Sequence, residues 1–124
     1  MNSAEIEQMN NDFEFFVRRL AKPGEDILNS LDSKQCHMLH MAVGIAGEAG
    51  ELLDAIKKAV IYQKPLDLEN VIEELGDLEF YMEGLRQACN VTRPQVISSN
   101  TSKLSIRYEN GYSDQAAQQR ADKA

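Results

Sequence analysis

The spacing of the apolar residues constrains the fold most strongly, because these residues recur every three to four positions along most of the chain. This period is typical of amphipathic helices, whereas half-buried strands alternate apolar and polar residues. Val, Ile and Thr form no alternating run. The sequence therefore predicts an all-α fold, a four- to five-helix bundle built as one domain over residues 1–124.

Capping residues and helix breakers set the expected helix boundaries. The predicted helices start near Ser3, Ser33, Asp67, Thr92 and Ser113, and the first four end near residues 22–24, 60, 89–90 and 109–111. The second and third helices are joined by a short connection around residue 64, so we expect them to be antiparallel neighbours.

Two of these helices are apolar on more than one face. Leu39, Val43 and Leu53 lie off the main apolar stripe of the second helix, and Phe80 and Tyr81 widen the stripe of the third. A four-helix monomer of this size cannot easily cover both faces. We therefore expect a homodimer or a dimer of dimers, with wide contacts between the copies.

Charge and composition exclude several classes of function. The net charge of −7, from 20 acidic and 13 basic residues, disfavours binding of a nucleic acid polymer, which needs a basic stripe. A single nucleotide held through metal ions is still compatible with this charge. No apolar run approaches the roughly 20 residues that span a bilayer, and the first residues lack the pattern of a secretory signal. We expect a cytoplasmic protein that contacts no membrane.

Two short acidic patterns carry the candidate chemistry. Glu48 and Glu51 lie three residues apart on the second helix, and Glu74 and Asp77 repeat this spacing on the third. Residues three apart share a helix face. Because the two pairs lie about equally far from the turn near residue 64, a hairpin brings them to the same height.

Four carboxylates at one height repel one another, by about 1 kcal/mol for each pair 4 Å apart in water. Glycines at positions 47, 50 and 76 add to this cost, since each mid-helix glycine is about 1 kcal/mol less favourable than alanine. Hard divalent cations bind carboxylate oxygens, and Mg²⁺ keeps waters for a substrate phosphate. The pattern therefore favours a metal site, although acidic residues are also common on solvated helix faces.

These residues resemble a known family. Residues 47–52 and 73–78 are similar to the ExxE and ExxD halves of MazG-like nucleotide pyrophosphohydrolases, which belong to the all-α NTP pyrophosphatase superfamily. The segment from Asn100 to Tyr108 resembles the Asn-x-x-Lys-Leu-x-x-Arg-Tyr segment of many MazG-like proteins, including phage-borne ones. The resemblance extends over roughly residues 35 to 122.

The resemblance implies a reaction and its cofactor. Glu48, Glu51, Glu74 and Asp77 would bind Mg²⁺, with Mn²⁺ as a substitute, and would act in catalysis. A nucleoside triphosphate would be cleaved between its α and β phosphates to a monophosphate and pyrophosphate by a metal-activated water. Which carboxylate serves as the general base is open, with Glu48 and Glu51 as the candidates we favour.

Four further residues are candidates for substrate binding. Asn100, Lys103 and Arg107 share one face of the fourth helix, and the resemblance supports a role for the first two with phosphate or sugar. Lys57 follows the first acidic pair and could reach the outer phosphates. The alternative for all four is an ordinary solvated surface.

The sequence leaves two other functions open. One is a non-catalytic helical protein that binds a nucleotide or a partner, and the other is a hydrolase of alarmones such as (p)ppGpp. The base and sugar of the substrate are not readable from these residues.

Overall fold

A computed structural model of the chain describes residues 1–123, and these contain helices and connecting segments without any strand. The prediction of an all-α fold is confirmed. Six α-helices are formed, followed by a short 3₁₀ turn at Ala121–Lys123: α1 (Ser3–Leu20), α2 (Gly24–Ser30), α3 (Ser33–Val60), α4 (Leu68–Ala88), α5 (Arg93–Arg107) and α6 (Asp114–Gln119).

The backbone groups into two compact units, Met1–Ser33 and the part of the chain from Lys34 onward. In the first unit, α1 begins with a capping box: Glu5 N donates to Asn2 Oδ1 at 2.9 Å, and Asn2 N donates to Glu5 Oε2 at 2.8 Å. The cap is therefore Asn2 and not Ser3. The short helix α2 was not predicted, because seven residues are too few to show a helical period. The single domain remains a prediction.

The centre of the second unit is the antiparallel hairpin of α3 and α4. Asp67 caps α4 as predicted, accepting a hydrogen bond from Asn70 N at 3.1 Å. Gly44 of α3 lies directly against the ring of Tyr81, and Gly84 of α4 lies against the side chain of Met41. From the Met41–Gly84 contact to the Gly44–Tyr81 contact, the position moves three residues forward along α3 and three residues back along α4. The same antiparallel step continues along both helices to the acidic residues.

The C-terminal part of the second unit packs on α5. Thr92 and Gln95 form a capping box at the start of α5, with hydrogen bonds of 2.7 and 3.2 Å. Arg107 in the last turn of α5 pairs with Asp122 of the 3₁₀ turn, with Nε to Oδ1 at 2.8 Å and Nη2 to Oδ2 at 3.3 Å. This two-point contact fixes the 3₁₀ turn against α5.

Burial in the chain is low. Within residues 1–123, the fully buried apolar side chains are Met41 and Ala55, both on α3. No helix in this range combines the length and apolar character needed to cross a membrane. The hairpin therefore has a narrow packed seam and large exposed apolar surfaces.

The close contact at Gly44 gives the first prediction. A methyl group at this position would overlap the ring of Tyr81, so we expect Gly44→Ala to lower the free energy of unfolding by about 1–3 kcal/mol. At Gly76 an added methyl group meets nothing within 4 Å, so Gly76→Ala should gain up to about 1 kcal/mol from helix propensity. Urea unfolding of the two variants measures both effects. Equal stabilities would show that the hairpin does not close through Gly44.

Candidate metal centre

The register of the hairpin brings acidic side chains of α3 and α4 together. One carboxylate oxygen from each of Glu48, Glu74 and Asp77 lies within 4.8 Å of the other two. We call these three residues the carboxylate trio. Glu48 and Glu74 are half-buried and Asp77 is exposed, so the trio lies at the edge of the hairpin seam and is open to solvent on one side.

Glu74 is the member of the trio whose surroundings most disfavour its charged form. Its Oε2 atom is buried without a hydrogen-bond partner. A hydrogen bond shared with the Glu48 carboxyl, together with burial and the negative charges of Glu48, Glu51 and Asp77, raises the pKa of Glu74 from its ordinary 4.5 to about 7. A buried carboxylate oxygen without a partner is costly, and a cation between the three carboxylates would supply that partner.

Glu51 lies outside the trio. It is exposed, one turn after Glu48 on α3, and its charge still contributes to the raised pKa of Glu74. Its role as a fourth ligand remains a prediction. The trio alone offers three hard oxygen donors, the type of ligand set that Mg²⁺ prefers when it keeps waters for a phosphate.

A basic side chain in the centre of the cluster would remove the need for a metal ion. Within the described residues, the salt bridges of lysine and arginine side chains involve other acids, among them Asp54 with Lys58 at 2.9 Å and Glu83 with Arg86 at 3.3 Å. None of them involves the trio or Glu51 in that part of the chain. The donor set therefore fits a divalent cation.

Comparison with known proteins assigns the hairpin to a family. The family model of the MazG nucleotide pyrophosphohydrolase domain matches residues 37–112, more than half of the chain. The chain belongs to the MazG family. No curated protein and no solved structure matches it.

The matched MazG region contains every residue predicted for the site, but the structure places them in different surroundings. On α5, Asn100 is exposed and Lys103 is half-buried. Lys57 is exposed, with its amino group 5.3 Å from the centre of the Tyr62 ring. The roles of these three residues in substrate binding remain predictions.

Among the predicted site residues, Arg107 forms an ion pair that the sequence did not predict. Its guanidinium makes both hydrogen bonds to Asp122, and the pair is largely shielded, with side-chain exposures of 15% and 4%. The hydrogen bond from Arg107 holds the pKa of Asp122 below its ordinary value. Arg107 thus anchors the C-terminal 3₁₀ turn against α5, and its contact with substrate is still a prediction.

The raised pKa of Glu74 gives the second prediction. Between pH 4.5 and about 7 the folded metal-free protein keeps a proton that the unfolded chain releases, so its stability should fall as the pH rises through this range. Glu74→Gln removes this titration and should flatten the fall. Thermal melting in EDTA at several pH values measures it, with Glu79→Gln, an exposed change on the same helix, as the control. Parallel curves for the wild type and Glu74→Gln would contradict the prediction.

Proposed function

We propose that this MazG protein is a Mg²⁺-dependent nucleoside triphosphate pyrophosphohydrolase that releases a monophosphate and pyrophosphate. The observation that carries the proposal is the carboxylate trio with its unpartnered Glu74 oxygen, located inside the region matched by the family model. Members of this family typically depend on divalent metal ions. A cytoplasmic location is part of the same proposal.

Glu48, Glu74 and Asp77 would hold the metal. Bound Mg²⁺ would neutralise the triphosphate and lower the pKa of a water molecule. The protein residues must bring three negative charges together before the ion arrives, and the raised pKa of Glu74 supports one way of doing so. A proton held on Glu74 at neutral pH would relieve the repulsion, and Glu74 would give up this proton when it holds a metal ion.

In the reaction, the oxygen of a water molecule bonds to the α-phosphorus while the bond from this phosphorus to the bridging oxygen breaks. The bridging oxygen leaves with pyrophosphate, and the water gives up a proton. Glu51 is the general base we favour, because Glu48 already shares a hydrogen bond with Glu74. Glu51 is exposed and lies within electrostatic reach of the trio.

Pyrophosphate release from a panel of substrates tests the proposal. The panel contains ordinary, deoxy and modified nucleoside triphosphates and (p)ppGpp, each with and without Mg²⁺. We expect at least one triphosphate to yield its monophosphate and pyrophosphate in equal amounts, only with the metal. Release of orthophosphate, or activity that persists in Asp77→Asn, would indicate a different reaction or a contaminating enzyme. No turnover of any substrate would favour the binding protein.

A further inference from the structure

One stripe of α5, which begins at Val96, faces the hairpin of α3 and α4. Val96 lines an apolar cavity together with Met82 of α4. Asn100, Lys103 and Arg107 follow it by four, seven and eleven residues, and these intervals repeat one face of a helix. The side of α5 that meets the hairpin at Val96 therefore carries Arg107 as well.

The course of α5 brings Arg107 to about the height of the carboxylate trio. Helix α5 runs back along α4, because four residues separate the two helices and Val96 shares its cavity with Met82. Arg107 lies eleven residues beyond Val96, about 16 Å along α5, and Glu74 lies eight residues before Met82, about 12 Å along α4. The two heights differ by less than one helical turn, so the long side chain of Arg107 can approach a phosphate chain held at the trio.

Asp122 occupies one edge of the Arg107 guanidinium and leaves other donors free. Nε donates to Oδ1 at 2.8 Å and Nη2 donates to Oδ2 at 3.3 Å, so two of the five N–H donors of the group are used. Hydrogen bonds to Asp122 and then to Tyr108 raise the pKa of Arg107, and Tyr108 uses one further donor. Two donors therefore remain, enough for hydrogen bonds to the oxygens of a phosphate.

The burial of Asp122 makes it a firm support for Arg107. The side chain of Asp122 is 4% exposed and that of Arg107 is 15% exposed, so the carboxylate is shielded from water while part of the arginine still reaches solvent. A shielded pair with two hydrogen bonds holds the planar guanidinium in one orientation. An arginine held in this way loses less conformational freedom when it binds an anion than a freely rotating one.

We propose that Asp122 is a positioning residue for substrate binding, which fixes Arg107 so that the free donors of its guanidinium bind an outer phosphate of the triphosphate. This inference rests on the proposed hydrolase function and assigns to that site a residue of the C-terminal 3₁₀ turn. Asp122 itself contacts neither the substrate nor the metal. Its removal should therefore weaken the binding of substrate and leave the rate of the chemical step unchanged.

Steady-state kinetics of triphosphate hydrolysis test this role. Asp122→Ala should raise KM about tenfold and keep kcat within about twofold of wild type, as should Arg107→Ala. In the double variant, KM should rise no further than in Arg107→Ala alone, because Asp122 acts through Arg107. Asp122→Asn keeps one acceptor oxygen, so its KM should lie between those of the wild type and Asp122→Ala.

Glu109→Ala is the matched control for Asp122→Ala. Glu109 is exposed and lies two residues after Arg107, so the variant removes the same charge at the same end of α5, and its KM should stay within about twofold of wild type. A purely structural role of Asp122 predicts that the increases in KM add up in the double variant. Such additivity, an unchanged KM in Asp122→Ala, or a lower KM in that variant, which would mean that Asp122 competes with phosphate for Arg107, overturns the proposal.

Calorimetric binding of inorganic tripolyphosphate with Mg²⁺ separates this proposal from the hydrolase proposal, since it needs no turnover. The wild type should bind tripolyphosphate about tenfold more tightly than Asp122→Ala does. This difference in a protein that hydrolyses no nucleotide would refute the hydrolase and support the role of Asp122. Equal affinities in a protein that does hydrolyse triphosphates would support the hydrolase and overturn the role of Asp122, as would a wild type that binds no tripolyphosphate.

Discussion

Replacing Asp77 by asparagine is expected to lower kcat/KM for triphosphate hydrolysis about a thousandfold, because a carboxylate that holds a catalytic metal contributes several kcal/mol to transition-state stabilisation. Asp77 is the exposed member of the trio, so the change should leave the hairpin folded. Initial rates of pyrophosphate release with saturating Mg²⁺ measure the effect, and circular dichroism checks that the helices are intact. Glu51→Ala should produce a comparable loss if Glu51 is the general base.

Glu79→Gln is the matched control for Asp77→Asn. Glu79 is an exposed acid on α4, two residues after Asp77 and outside the trio. It changes the net charge by the same amount, and we expect its kcat/KM to stay within about twofold of wild type, since surface charges have small and screened effects. Equal losses in both variants would mean that the overall acidity of α4, and not the trio, matters for activity.

Removal of the metal is expected to have the second large effect. With EDTA, hydrolysis should stop, and with excess Mg²⁺ it should return. Binding to the folded state should also raise the free energy of unfolding by about 1.4 kcal/mol for each tenfold increase in Mg²⁺ above its dissociation constant. Thermal melting across a series of Mg²⁺ concentrations measures this, and K⁺ at equal ionic strength separates specific binding from screening.

Glu74→Gln makes the metal experiment specific to one residue. At neutral pH a large share of Glu74 is already protonated in the metal-free protein, since its pKa is raised to about 7. Glutamine has the shape and charge of that protonated form but does not ionise in the unfolded chain, so the metal-free variant should melt above the wild type at neutral pH. With Mg²⁺ its melting temperature should stay constant while that of the wild type rises. A Mg²⁺-dependent rise in the variant would place the ion elsewhere.

The helical hairpin and its acid pairs could be predicted because both depend on local spacing. Apolar periodicity indicates where α3 and α4 lie, and a short connection makes them antiparallel. Together these features place Glu48 near Glu74 and Asp77 without further information. Glu51 is harder to place, because a difference of less than one helical turn decides whether a side chain lies in the seam or beside it.

The roles of the glycines could not be predicted from the sequence. Glycines at positions 47, 50 and 76 flank the acidic residues, but an added methyl group meets nothing within 4 Å at any of them. The tight contacts between α3 and α4 are at Gly44 and Gly84. Which glycine meets the neighbouring helix depends on how both helices are rotated, and one sequence does not contain that information.

The pairing of Arg107 with Asp122 shows a similar limit. The two residues are fifteen positions apart, with α6 between them in sequence, so no local spacing rule links them. From the sequence, Arg107 was a candidate for substrate binding only because of its helix face and the family resemblance. Its partner depends on the path of the chain after α5, which the left-handed backbone at Arg120 helps to turn.

Anomalous scattering from crystals grown with Mn²⁺ is the direct test of whether the carboxylate trio holds a metal ion. We expect a Mn²⁺ peak bonded to carboxylate oxygens of Glu48, Glu74 and Asp77, at about 2.0–2.3 Å, the range for a small hard cation. We expect this peak to be lost in Glu74→Gln. Crystals that show the ion bound elsewhere, or a lysine or arginine side chain occupying the centre of the three carboxylates, would contradict it.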